Sequence, residues 1–186
     1  VVAQDFIYAL QRIADPANKS PGWGFLDAQV GFVGLREVRQ TALDSRKPFD
    51  YDAPIEGLKA LDRYTIRVRF DQPYFGFRHW LTTVQFAPVA REVVDRHKDA
   101  SSRVAEHPVG TGPYRLADWR RSQKIVLEAN PAWRDARYPA PTDPADATIA
   151  KGLAGRKLPL VPRVDISIIE EAQSRLKASA PSEIDF

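Results

Sequence analysis

His107-Pro108-Val109-Gly110-Thr111-Gly112-Pro113-Tyr114-Arg115-Leu116, or HPVGTGPYRL, sets a Gly-Thr-Gly between two prolines directly before an alternating stretch. Two readings compete for it, a phosphate cradle and a rigid corner. A Walker loop needs a lysine and a hydroxyl residue after its second glycine, so that the ammonium reaches the phosphates, and here Gly112 is followed by Pro113. The proline also removes a backbone N–H that such a cradle would donate. The dinucleotide fingerprint lacks its third glycine, and a strand pattern rather than a helix follows. Pro108, Gly110, Gly112 and Pro113 therefore read as a structural corner, in which the prolines fix the backbone and the glycines allow a tight reversal.

Downstream of the corner, Tyr114 to Trp119 and Lys124 to Ala129 predict two short strands joined by a charged turn at Arg120 to Gln123. Residues 134 to 162 hold five prolines and little periodicity, long for a structureless connection, and so read as draped over a surface or functional. Val164 to Ile168 alternates as a strand, Glu170 to Ala180 reads as a helix, and Ile184-Asp185-Phe186 as a strand beginning.

Upstream, the polar stretch Asp99 to Glu106 is a candidate boundary, dividing residues 1–105 from 106–186. Before it, Phe6, Leu10 and Ile13 mark a helix over Asp5 to Ala14 that Asp15-Pro16 stops, with Asp5 suited to the helix dipole. Lys19 to Gly34 is loop or broken helix, carrying Trp23, Phe25 and Phe32 among glycines. Leu35 to Ser45 predicts a second helix. Tyr64 to Phe70 alternates as a half-buried strand with Leu58 to Leu61 as its hairpin partner. Tyr74 to Thr83 and Pro88 to His97 read as helices. The order of elements is a mixed α/β (α+β) pattern with no internal repeat.

Composition narrows the function. The 186 residues are 44% hydrophobic and 27% charged, which suits a folded globular chain rather than disorder. A net charge of +3 from interleaved signs argues against nucleic acid as the main partner. No apolar run is long enough to span a bilayer. With no methionine at all, the chain reads as a mature fragment or an excised piece. Zero cysteines remove disulfides, thiol nucleophiles and thiolate metal sites. His79, His97 and His107 lack the helical spacing a metal pair needs, so no metal and no cofactor is expected.

Catalytic constellations fare no better. The nucleophile elbow Gly-x-Ser-x-Gly is absent, and Ser20, Ser101 and Ser102 sit in polar loops. Glu170-Glu171 and Glu183 with Asp185 could pair as acid and base, but a solvated helix start and strand end explain them as well. His107 before its proline could be a base or a capped, partly buried ring. Trp23, Gly24 and Phe25 differ, because rings among glycines in a loop suit a wall for an apolar or peptide-like ligand, with packing of one lobe as the alternative. Tyr74, Phe75, Phe77 and Trp80 read as core. No enzyme activity is expected.

Several segments together resemble one family, the extracytoplasmic solute-binding proteins of family 5, the oligopeptide and dipeptide binders of ATP-binding cassette (ABC) importers. Its opening helix is matched by Ala3, Asp5, Phe6, Tyr8, Ala9, Leu10, Arg12, Asp15 and Pro16, and Ser20 to Phe25 follow as its Ser-Pro aromatic stretch. Gly57, Leu58, Ala60, Asp62, Tyr64, Thr65 and Ile66 fit a third motif, and HPVGTGPYRL is similar to the family's Pro-Val-Gly-Thr-Gly-Pro-Tyr segment. Trp119, Ile125, Leu127, Asn130 and Pro131 continue it, and Glu171 to Phe186 is similar to the family's closing helix. Val2 departs from the usual Ser or Thr helix cap, and Ser182 from a usual glycine.

The resemblance implies part of a two-lobed, hinge-closing fold. Residues 1–105 would be its small accessory lobe and residues 106–186 part of the first ligand-binding lobe, with the opposite lobe missing. It further implies a periplasmic monomer that captures a peptide or other small solute and presents it to a membrane permease. Trp23, Gly24 and Phe25 would lie nearest the ligand. The same fold in the sensor domain of a transcription regulator is the alternative.

Overall fold

The computed structural model describes residues 1–100 and 103–171. Most of the predicted helix Glu170 to Ala180, the strand beginning at Ile184, and Ser101, Ser102, Glu183 and Asp185 lie outside them. The chain divides into two compact units, Val1–Ala105 and Glu106–Phe186.

The first unit is built on α1 (Ala3–Ala14), whose buried face carries Ile7, Leu10 and Ala14. Val2 has no side-chain oxygen to cap it, but Asp5 reaches back so that its carboxylate accepts the Val2 N–H at 2.7 Å, half of a capping box. At the other end Asp15 accepts the Ala17 N–H at 2.9 Å and starts a 3-10 turn over Pro16–Asn18. The Gly-rich stretch that follows is a broken helix: α2 (Trp23–Phe25) runs into a wider π turn, Leu26–Val30. Gly31 ends it at φ 63°, with the Asp71 carboxylate occupying the space a Cβ would need. Helix α3 (Leu35–Ser45) then packs Leu35 and Ala42 inward.

Strands β1 (Leu58–Ala60) and β2 (Ile66–Val68) pair antiparallel, Lys59 opposite Arg67. Tyr64 to Phe70 was expected to be strand throughout, and only its centre is regular. The Asp62 carboxylate accepts both the Tyr64 and Thr65 N–H groups, at 2.7 and 2.9 Å, and so draws those residues into the turn. Before β1, a Cβ on Gly57 would come within 2.7 Å of the Val33 and Arg69 backbones, so three segments meet there only because the side chain is absent.

The aromatic segment forms no long helix either. It yields α4 (Phe77–Trp80) and a 3-10 turn, Val84–Phe86. The Thr82 and Thr83 hydroxyls donate to the His79 and Trp80 carbonyls, at 2.6 and 2.7 Å, which accompanies the helix's end. Helix α5 (Arg91–His97) begins later than Pro88: the Val89 N–H donates to the Asp5 carbonyl at 3.1 Å, and Ala90 is extended as the helix's N-cap. The core of this unit joins α1, the Leu26–Val30 turn, α3, β1, Phe32, Phe49, Ile55 and Phe86. Of the predicted core rings Phe77, Trp80 and Tyr74 pack against it, whereas Phe75 is 93% exposed.

The second unit is a three-stranded antiparallel sheet, β3 (Tyr114–Arg120), β4 (Lys124–Ala129) and β5 (Arg163–Ser167), in the order β3-β4-β5. A bulge between Leu116 and Asp118 sets its chemistry. Without the extra residue, period-two alternation would put Asp118 on the face of Leu116. With it, Tyr114, Leu116 and Trp119 share one face with Ile125, Leu127, Val164 and Ile166, while Arg115, Asp118 and Arg120 share the other with Lys124, Val126, Glu128, Arg163 and Asp165.

The proline-rich residues 134 to 162 are not structureless. The Tyr138 N–H donates to the Arg156 carbonyl at 2.9 Å, the Gly155 N–H to the Tyr138 carbonyl at 3.0 Å, and the Leu158 N–H to the Ala136 carbonyl at 2.9 Å. These bonds close the excursion at its neck. Between them lie a turn at Pro144–Asp146, capped by Asp143, and α6 (Ala147–Ala150).

Candidate ligand-facing site

The three residues singled out for a ligand stand on α2, and their surroundings differ. Trp23 packs on the edge of the core with the Arg39 guanidinium 4.7 Å above its ring. Arg39 is itself anchored, donating to the Ala14 carbonyl at 2.6 Å. Phe25 is 39% exposed, and only its inner side is covered. There Trp80 lies at 5.0 Å, tilted, and Tyr74 at 6.4 Å, edge-on. Trp80 in turn stands edge-on to the buried Phe86 at 4.2 Å, and Phe86 meets Phe77 at 5.5 Å. Phe25 is thus the solvent end of a chain of rings rooted in the core, held in place without being enclosed. Phe32, grouped with these rings in the sequence, is core instead, 4% exposed against Phe70 and Phe77.

Between the rings, Gly24 leaves its backbone bare. A Cβ there would meet nothing within 4 Å, so packing within this unit does not require glycine. A cavity of about 100 Å³ lined by Trp23, Asp27, Gly31, Arg36 and Asp71 is smaller than the roughly 300–1,000 Å³ that small-molecule pockets occupy. Asp27 and Arg36 pair beside it at 2.6 Å. The aromatic pair is therefore an open wall rather than a pocket. Among the described residues no three His, Cys, Asp or Glu side chains are grouped to hold a metal ion.

At the corner, Pro113 is clasped from the far end of β4. The Asn130 N–H donates to the Pro113 carbonyl at 2.8 Å, its side-chain amide donates to the Gly112 carbonyl at 3.4 Å, and its Oδ1 accepts the Ala132 N–H at 3.0 Å. Neither Gly110 nor Gly112 takes a positive φ, and a Cβ on either would meet nothing within 4 Å. Pro108 stands before them without regular structure, and the chain bends at residue 107 and again at 111 to 113. Asn130 is the residue that reasoning from the loop alone overlooked, since its clasp spans 18 positions.

A second polar centre ties the end of α1 to the loop after α3. The Tyr51 hydroxyl donates to Asp15 Oδ2 at 2.6 Å, and Asp15 is only 7% exposed. Burial first, and then this hydrogen bond, push the Tyr51 phenol well above its ordinary range. The arrangement is structural, since the phenol is held protonated at any neutral pH.

Comparison with known proteins fits this scaffold. The model of the bacterial extracellular solute-binding proteins, family 5, matches residues 1–186. The chain belongs to this family. The periplasmic oligopeptide-binding protein OppA of Salmonella typhimurium is 33% identical to this family 5 protein over 135 residues, covering 73% of the chain and 23% of the relative. A probable deoxycholate-binding periplasmic protein of Escherichia coli, YgiS, is 32% identical over 138 residues, 74% of the chain and 24% of the relative. The solved structure of Haemophilus influenzae OppA in complex with the peptide RPPGFSPFR superposes on the whole chain and on 30% of its own, with a TM-score of 0.67 and 25% identity. The family 5 chain thus spans about a quarter of the length of the relatives it matches, and its fold is that of part of a two-lobed periplasmic binding protein.

Proposed function

We propose that this chain is part of the substrate-binding component of an ABC importer, which captures peptides in the periplasm and delivers them to a membrane permease. The observation that carries the reading is the match of the whole chain to an oligopeptide-binding protein solved with its peptide. Val1–Ala105 would be the accessory lobe and Glu106–Phe186 part of the first ligand-binding lobe. The Trp23, Gly24 and Phe25 wall supports a place for the ligand beside α2. Its rings are immobilised from behind, which lowers the ordering cost of a contact, and no group stands within 4 Å of where a Gly24 side chain would lie, so a peptide could approach closely there. An enclosed pocket then requires the opposite lobe, supplied by the remainder of the longer protein.

Thermal melting of the full-length protein with a mixed pool of di- to pentapeptides, and separately with deoxycholate, tests the reading. A rise in Tm with the peptides and none with deoxycholate is expected. A rise with deoxycholate alone would move the substrate class to amphipathic sterols, and no rise with either would remove the transport reading.

A further inference from the structure

The two-stranded sheet of the first unit has an open edge with a groove beside it. The Leu61 N–H donates to the Thr65 carbonyl and the Arg69 N–H to the Gly57 carbonyl, which fixes the alternation of the antiparallel pair. Lys59 and Arg67 then form a bonded pair, and Ala60 opposite Ile66 does not, so the Ala60 N–H and C=O point away from β2. Among the described residues neither group has a backbone partner outside the sheet. Along β1 runs a groove of about 460 Å³ with Gln4, Ile7 and Gln11 of α1 on one side and Tyr51 to Ile55 on the other. Ile7, Ile55 and Leu58 give it an apolar floor.

One atom separates this groove from an ordinary surface furrow. Gln11 is 2% exposed, its side-chain N–H donates to the Tyr51 carbonyl at 3.1 Å, and its Oε1 is buried with no partner. A buried carbonyl oxygen lacking a donor is uncommon in a finished fold. The groove therefore asks for three things at once: backbone groups to pair with Ala60, an apolar side chain for its floor, and an N–H for Gln11. An extended strand supplies all three.

We propose that the outer edge of β1 is completed by an extended strand of the same polypeptide, contributed by the portion of the longer protein outside Val1–Phe186. The occupant is assigned to the same polypeptide because the matched relatives are about four times as long as the aligned segment, which leaves most of their chain to furnish it. The chain that continues β2 is already paired on its other side, where the Asp71 N–H donates to the Gly31 carbonyl at 2.9 Å and the Val33 N–H to the Arg69 carbonyl at 3.1 Å, so the strand adds beside β1. The inference rests on the chain being part of a longer protein, and is independent of what that protein binds.

Amide hydrogen exchange at single-residue resolution on the ligand-free, full-length protein tests it. The Ala60 amide should exchange at least ~100-fold more slowly than the unprotected chain, as for any paired strand amide. Exchange of Ala60 within about tenfold of the unprotected rate overturns the proposal. Protection that arrives only on adding the peptide pool, or that grows with protein concentration, also overturns it, naming the ligand or a second copy as the occupant. Melting curves on the same samples report ligand capture separately, so a failure here is distinguishable from a failure of the transport reading.

Discussion

The two units of this chain are held together by different physics. In Val1–Ala105, α1, α3 and the hairpin converge on side chains such as Leu26, Val30 and Leu35 that are all but sealed from water, and rings from Phe25 inward extend the packing to the surface. In Glu106–Phe186, only Val126 and Ala150 among the described apolar residues are buried. Val126 owes its burial to the charged face, where Lys124 meets Asp165 at 2.7 Å, Arg163 meets Asp165 at 2.9 Å, and Arg163 and Arg115 both approach Glu128. The apolar face is not sealed either: Leu116, Trp119, Ile125 and Leu127 are half-buried and Ile166 is 41% exposed. The first unit carries its own core, whereas the second presents a sheet whose apolar side is still partly wet.

The largest expected effect breaks that contrast at its base. Leu26→Ala in the first unit should cost about 2–5 kcal/mol in urea denaturation, because a fully buried leucine leaves a cavity. Leu127→Ala, on the half-buried apolar face of the sheet, should cost about 1 kcal/mol in the same chain, since a half-buried side chain loses only part of its transfer energy. Equal costs would mean that the second unit is packed as tightly as the first.

Next in size is the polar tie. Tyr51→Phe removes the donor to Asp15 and leaves a buried carboxylate oxygen short of a partner, for a loss of about 1–3 kcal/mol at neutral pH. Because the folded phenol is raised above its unfolded value, its contribution is complete below the unfolded pKa of about 10 and is lost as pH climbs beyond it. Denaturation midpoints from pH 8 to 11 should therefore fall more steeply for the native sequence than for the Phe variant.

The smallest effect belongs to the charged face. The Arg163 and Lys124 partners hold the Asp165 carboxyl down at about 2, so its contribution is present above the unfolded value of roughly 4 and fades between there and 2. These groups are exposed, and salt screens them. Arg163→Gln should shift the melting temperature slightly at low ionic strength and not measurably in 1 M salt, and a shift that survives high salt would show that packing by the arginine stem is what matters.

Much of this contrast is legible in the sequence. The stripe Phe6, Leu10, Ile13 predicts α1, the glycines around Trp23 predict a loop or a broken helix, of which the structure has the latter, and the alternation at Val164 to Ile168 predicts β5 to within a residue. What pattern misreads is decided by side chains that compete for the backbone: Asp62 shortens β2, and Thr82 with Thr83 marks the end of α4. Phe75 falls in the turn before the four-residue α4 and Phe32 in a single bridge, so no local period states the exposure of the one or the burial of the other. The bulge in β3 is likewise invisible until Trp119 is found beside Ile125. At the candidate site the aromatic residues are legible, and the ring chain behind Phe25 is not, because it joins positions more than fifty residues apart.

Titration calorimetry of the full-length protein, native and Phe25→Ala, against the peptide pool is the most direct test of the central claim. Phe25 has an open face, so the variant should melt within about 1 kcal/mol of the native protein while binding peptides roughly tenfold more weakly. Unchanged affinity in a variant that folds normally would contradict the assignment of this aromatic wall to the ligand.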